Sequence, residues 1–264
     1  MSGMSSPQPA GPERLKRSPG NKAPLAWADG PGKRGRGRTI KALVFDFDGL
    51  IVDTEVPIFR AWQRIYRERG QELPLERWLS IIGTASGPFD PVIDLGHKTD
   101  GKLDKKELKA LEALYYQEAT ALQQLLPGVF DYLVDARRLG LKTAVASSST
   151  RKWVMDHLNR FSIGGHFDVI VTREDVKRTK PDPDLYATAL ERLNVKASEA
   201  IAFEDSSNGI HAARAAGLFC VAVPNLMTVD LDLSEADLRL LTLEAMPLSE
   251  VLKEAQRALE HRSR

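Results

Sequence analysis

From residue 39 onward, short apolar runs alternate with stretches whose apolar positions recur at helical spacing. The runs at 41–46, 142–147, 168–172, 200–204 and 218–223 are apolar nearly throughout and are predicted as strands. Between the later ones, the spacing predicts helices near 151–160, 184–194 and 207–216. Strands that are apolar on both faces and separated by amphipathic helices predict an α/β fold, a doubly wound parallel sheet covered on both sides. All strands of such a sheet end at one edge, where ligands collect.

Residues 55–126 break this rhythm. The stretches 56–69, 75–82 and 105–125 all read as helical, with no convincing strand among them. This predicts a helical insertion over residues 55–126, placed to act as a lid that excludes water. The sheet domain then comprises 39–54 and 127–230, with Leu126-Pro127-Gly128 marking the return and a helix following to Arg138. Residues 231–264 read as a C-terminal helical extension, including an amphipathic helix from Pro247 to about His261. No internal repeat is visible.

Composition changes this picture mainly at the N-terminus. The 264 residues are 42% apolar and 28% charged, enough for a sizeable core, and the net charge is only +1. Residues 1–38, however, hold eight Lys or Arg against Glu13 and Asp29, a net of +6 that leaves −5 for the rest. They also hold six of the 15 prolines and seven of the 19 glycines, so they are predicted to form a disordered basic leader. Its Lys-Arg-Gly-Arg-Gly-Arg segment could touch nucleic acid, but it lacks the interleaved aromatics that bases stack on, and a solvated tail is the expectation. No apolar stretch is long enough to span a bilayer and no secretory signal is evident, so a cytoplasmic protein without a membrane partner is expected. The one cysteine, Cys220, lies in an apolar run and reads as a buried small side chain.

The candidate chemistry lies at the strand ends. The run ending at Phe45 delivers Asp46 and Asp48, which the period of a strand points the same way. Two neighbouring carboxylates suggest a divalent metal site or an acid/base dyad, although an Asp-x-Asp-Gly stretch is also a common solvated turn. The second strand ends in Ser147-Ser148-Ser149-Thr150 before a helix, a place for a phosphate or for an ordinary N-cap. Lys180-Pro181-Asp182-Pro183 stiffens a helix approach and could fix an ammonium over the site, though a lone lysine there reads as exposed. The strand 200–204 leads into Glu204-Asp205-Ser206, where helix N-capping explains one acid but not both. Within the insertion, Asp100-Gly101-Lys102-Leu103-Asp104 echoes half of a calcium loop but places Gly96 and Lys98 where ligands are needed, and it reads as a polar cap of the next helix. The small-residue loop at Gly83 and Thr84 is a candidate contact for the substrate's leaving group or a simple interhelical turn.

Acid pair, hydroxyl, lysine and acid pair, in this order at one sheet edge, resemble the four motifs of the haloacid dehalogenase superfamily, subfamily I, the β-phosphoglucomutase and phosphoglycolate phosphatase branch. The matching residues are Asp46-Phe-Asp-Gly, Ser147, Lys180 and Glu204-Asp205-Ser-x-Asn-Gly209, and the resemblance covers roughly residues 40–225. It implies a Rossmann-like core with a helical cap and a Mg²⁺-dependent enzyme for a small phosphorylated metabolite. Asp46 would be the nucleophile and Asp48 the general acid and base. Ser147, Ser148 and Lys180 would hold the phosphoryl oxygens, and Asp46, Asp48 through its carbonyl, Glu204 and Asp205 would hold the metal. Dehalogenases of the superfamily lack an acid at the position of Asp48, which argues against carbon–halogen cleavage. The related mutases carry a histidine twelve positions after the nucleophile, where this chain has Ile58, which favours a phosphatase over a sugar-phosphate mutase.

Overall fold

A computed structural model describes residues 39–83, 88–99 and 103–261. The basic leader 1–38, Thr84 and the polar loop 100–102 therefore lie outside the described residues.

Six parallel strands form one sheet in the order β3-β2-β1-β4-β5-β6. They are β1 (Ala42–Phe45), β2 (Lys142–Ala146), β3 (Val169–Val171), β4 (Ala200–Glu204), β5 (Phe219–Ala222) and β6 (Leu238–Arg239). The first five fall where the apolar runs predicted them. The sixth, only two residues long, lies in a stretch whose pattern predicted helix, because a partly buried edge pair carries no periodic signal.

Period-two geometry assigns each strand residue to one of two cores. Leu43, Phe45 and Phe47 face a cluster built with α5 (Val129–Arg138), α6 (Arg151–Arg160) and α9 (Leu248–His261). Ala42 and Val44 face the other cluster, built with α7 (Asp184–Leu193) and α8 (Ser207–Ala215). The second face is rich in alanine, at Ala144, Ala146, Ala200, Ala202 and Ala222, so α7 and α8 pack close against the sheet. Phe45 stacks on Phe203 at 4.9 Å between centroids, and both are fully buried.

Residues 55–126 contribute four helices and, among the described residues, no strand: α1 (Glu55–Arg67), α2 (Leu75–Leu79), α3 (Pro91–Thr99) and α4 (Lys105–Ala119). They bury an apolar cluster of their own around Trp62, Tyr66, Leu95 and Leu108. The α3 helix escapes the sequence pattern because only Val92 and Leu95 are buried along it. Its start was nonetheless readable, since Asp90 accepts from the amides of Val92 (2.8 Å) and Ile93 (3.1 Å) and Pro91 opens the helix. The α2 helix stops at Leu79 rather than near 82, with the Ser80 hydroxyl donating to the Arg77 carbonyl at 2.8 Å. The helix predicted over 105–125 ends at Ala119. There the Thr120 hydroxyl donates to the Tyr116 carbonyl (2.8 Å), and the chain then runs back beside β1's exit, with the Leu126 amide donating to Ile51 O at 3.0 Å. Asp104 caps α4 by accepting from the Lys106 amide at 2.8 Å. No helix of the described residues is long and apolar enough to cross a membrane. Cys220 is buried, as its apolar run predicted.

Candidate active site

The strand order reverses direction of growth between β1 and β4, and a crevice outside the carboxyl ends of a sheet opens at such a point. Asp46 leaves β1 there, with its amide still bonded to Phe203 O at 2.9 Å, and Glu204 and Asp205 leave β4 beside it. Asp46, one residue past β1, keeps the strand parity of Ala42 and Val44 and turns towards the α7 and α8 side, whereas Asp48 lies beyond the strand and its carboxylate meets Trp153 of α6, so the two acids do not point the same way as the strand period predicted.

Lys180 lies just before α7 and is 2% exposed, against the reading of a lone exposed lysine. Its ammonium contacts Asp46 Oδ1 and Glu204 Oε1, the latter at 2.6 Å. The Tyr186 hydroxyl donates to the same Glu204 oxygen at 2.5 Å, and the other oxygen accepts from the Asp205 amide at 3.2 Å. Both Glu204 oxygens are thus engaged. Asp205 differs: Asn225 donates to its Oδ2 at 2.7 Å, while Oδ1 is buried without a partner.

Carboxylate oxygens of Asp46, Glu204 and Asp205 lie within 4.8 Å of one another, and all three residues are buried. One ammonium faces three acids. Burial pushes Asp46 up to about 8, with Lys180 opposing and the charges of Glu204 and Asp48 adding to the rise. Burial, followed by the charges of Asp46 and Glu204, holds Asp205 well above the usual carboxylate range. Burial alone would lower Lys180, but Asp46 and Glu204 outweigh it and keep the ammonium charged. A buried acidic cluster this short of positive charge, with an orphaned oxygen on Asp205, fits a bound divalent cation.

Two glycines make room for the acids. Gly49 has φ +83°, and a Cβ on it would sit 2.5 Å from both Asn225 Nδ2 and Asp205 Oδ2. A Cβ at Gly209, in the first turn of α8, would land on the Glu204 carboxylate. Gly209→Ala would ordinarily favour a helix. Here it is expected instead to cost about 1–3 kcal/mol, because the carboxylate must leave Lys180 and Tyr186. Thermal denaturation checks the sign.

The serine run does two jobs. Thr150 is the N-cap of α6, accepting from the Trp153 amide at 3.2 Å, as the capping reading required. Ser147 and Ser149 turn to Asp48, their hydroxyls 3.3 and 2.6 Å from Oδ2. Ser148 instead donates weakly to the Gly83 carbonyl at 3.4 Å, and Asn208 donates to the Ile82 carbonyl at 3.1 Å. The candidate loop at Gly83 therefore meets the strand-end loops. Ser206 caps α8 by accepting from the Gly209 amide at 3.2 Å, which accounts for the capping residue and leaves both preceding acids for the site.

Several residues here were not singled out from the sequence. Thr54 and Trp153 also donate to Asp48, Tyr186 holds Glu204, and Asn225 holds Asp205. Asn225 follows β5 and could have been found by extending the strand-end pattern one strand further. Glu55, the first residue of α1, is pushed up to about 8 by burial and then by the charge of Asp48, so it also borders the site.

Residues 43–223 match the haloacid dehalogenase-like hydrolases. YhcW of Bacillus subtilis (strain 168), a phosphatase by assignment only, is 44% identical over 213 residues, 81% of this chain and 96% of that protein. The phosphorylated carbohydrates phosphatase of Thermotoga maritima is 30% identical over 182 residues, 68% of this chain and 82% of that protein. The crystal structure of β-phosphoglucomutase from Clostridium difficile superposes with a TM-score of 0.68 at 24% identity, over 84% of this chain and 100% of that one, and so shares the fold.

Proposed function

We infer the function from one premise, that the chain belongs to the haloacid dehalogenase-like hydrolase family, and propose within it a Mg²⁺-dependent phosphatase for a small phosphate monoester such as a sugar phosphate. One observation carries the reading: a buried carboxylate at the switch point of the sheet, Asp46, contacts a buried lysine and clusters within 4.8 Å with the carboxylate of Asp205, one oxygen of which is buried without a partner. The T. maritima relative supports a phosphorylated carbohydrate as the substrate class. The helices of residues 55–126 would act as the cap over the strand ends, with Gly83 at its contact with the core. Residues 1–38 add no partner to this reading.

In this mechanism an Asp46 oxygen attacks phosphorus, forming an O–P bond as the bond to the leaving alkoxide breaks, and Asp48 gives that alkoxide its proton. Asp48 then takes a proton from water, whose oxygen attacks phosphorus, and the Asp46 carboxylate departs with release of inorganic phosphate. Ser147, Ser148 and Lys180 would hold the phosphoryl oxygens as charge spreads over them. Asp46, Asp205 and the Asp48 carbonyl would hold the metal. With both its oxygens engaged, Glu204 is assigned the indirect part of orienting Lys180. When bound, the cation supplies the positive charge that lets a carboxylate approach a phosphate dianion. Ile58, where the mutases carry histidine, supports water as the acceptor.

Incubation with glucose 1-phosphate tests the assignment. Inorganic phosphate should appear and should stop appearing on addition of a chelator. Glucose 6-phosphate formed without inorganic phosphate would overturn the reading in favour of a mutase.

Metal binding should also show in stability. Because Asp46 is raised from 3.8 to about 8, the folded metal-free protein holds a proton that the unfolded chain releases between those values. Its contribution to stability is present below pH 4 and is lost as pH rises towards 8. Protons and metal compete for the same oxygens, so Mg²⁺ should raise the Tm more at pH 8 than at pH 6. Equal increments at the two pH values would argue against a cation on these acids.

A further inference from the structure

Four donors converge on the Asp48 carboxylate, and they divide by oxygen. Oδ2 receives the hydroxyls of Ser149 (2.6 Å) and Ser147 (3.3 Å), which belong to the phosphate loop. Oδ1 receives the Thr54 hydroxyl (2.9 Å) and the indole N–H of Trp153 (2.8 Å). A bound phosphoryl group would draw the serines towards itself and free Oδ2. The two donors on Oδ1 have no such competing task, so that oxygen stays pinned.

The indole is itself held by residues from two parts of the chain. His157, one turn later on α6, lies 4.4 Å from it between centroids, and Tyr116 of α4 lies 5.1 Å away. The Trp153 carbonyl can only accept, so His157 Nδ1, 2.9 Å from it, carries the proton. His157 Nε2 is then left to accept from the Tyr116 hydroxyl at 2.8 Å. Phe47, the residue between the two acids, closes the far side of the His157 ring at 5.8 Å. Tyr116 is the one member of this box that the inserted helices supply.

We propose that Trp153 is a positioning residue: its N–H pins Oδ1 of Asp48 so that Oδ2 serves proton transfer, and its ring, packed against Tyr116 and His157, holds that N–H in place. A core tryptophan needs only apolar neighbours and any acceptor, whereas this one spends its N–H on the acid/base carboxylate and its ring face on the cap. This inference rests on the phosphatase reading.

The test uses leaving groups that need proton donation to different degrees. Trp153→Phe keeps an aromatic plate and removes the N–H. It is expected to lower kcat/KM for phenyl phosphate about tenfold and for p-nitrophenyl phosphate no more than about twofold, since the more acidic nitrophenol departs with little help from a general acid. Tyr116→Phe keeps the ring, removes the hydroxyl bond to His157 and should lower kcat/KM for phenyl phosphate in the same selective way, by about threefold. Equal losses on both esters, or no loss in either variant, would overturn the inference while leaving the phosphatase reading intact. A wild-type protein that releases phosphate from no monoester would overturn the phosphatase reading, and the inference would fall with it.

Discussion

Asp46→Asn is expected to lower phosphate release by at least about a thousandfold while leaving the protein folded, because an amide of the same shape cannot form and break the bond to phosphorus. The substitution leaves the β1 backbone bond to Phe203 O untouched and leaves Lys180 its contact with Glu204. The buried cluster becomes less negative, so stability should hold or rise in the metal-free protein, most clearly above pH 8 where the wild-type carboxylate has lost its proton. Turnover and thermal denaturation on the same sample separate the two effects. Retained turnover in a folded Asp46→Asn protein would remove Asp46 as nucleophile and with it the mechanism derived above.

Lys180→Met has the opposite balance, with the larger effect on stability. The ammonium sits between Asp46 and Glu204 with almost no exposure, and removing it strands two buried carboxylates that have no other cation near them among the contacts described. Breaking a buried pair from one side costs about 3–5 kcal/mol, much more than an exposed ion pair contributes. The sign with pH follows from the acids. Lys180 is what opposes the upward shift of Asp46, so without the ammonium Asp46 holds its proton still more tightly when folded than when unfolded, and the deficit should be greatest above pH 8 and shrink as pH falls towards 5. Denaturant midpoints for wild type and variant across this range measure it, and a deficit independent of pH would show that the loss is one of packing alone. Turnover should also fall steeply, since Lys180 is assigned to the phosphoryl oxygens.

The strand-end residues were legible because each follows an apolar run and because a parallel sheet must bring those ends to one edge. Asp46, Ser147, Lys180, Glu204 and Asp205 do meet there. The state of each was harder to read. Lys180, read alone, looked exposed, and only the tertiary structure buries it against Asp46 and Glu204. Glu204 read as an acid of the site, but nothing local to it showed that Tyr186 and Lys180 reach one of its oxygens and the Asp205 amide the other. Trp153 carried no signal at all, because an indole one turn into an amphipathic helix is what any core would use.

Hydrophobic period and strand-end chemistry, read along the chain, determined the α/β class, the five principal strands, the helical character of residues 55–126 and the order of the polar motifs, since each depends on a few neighbouring residues. Which strands lie side by side, how deeply the acids and Lys180 are buried, and which hydroxyl, amide or indole reaches each carboxylate were decided only by tertiary structure. Those outcomes are set by apolar packing between segments as far apart as Asp48 and Trp153 or Gly49 and Asn225, and local propensity has no access to contacts at that separation.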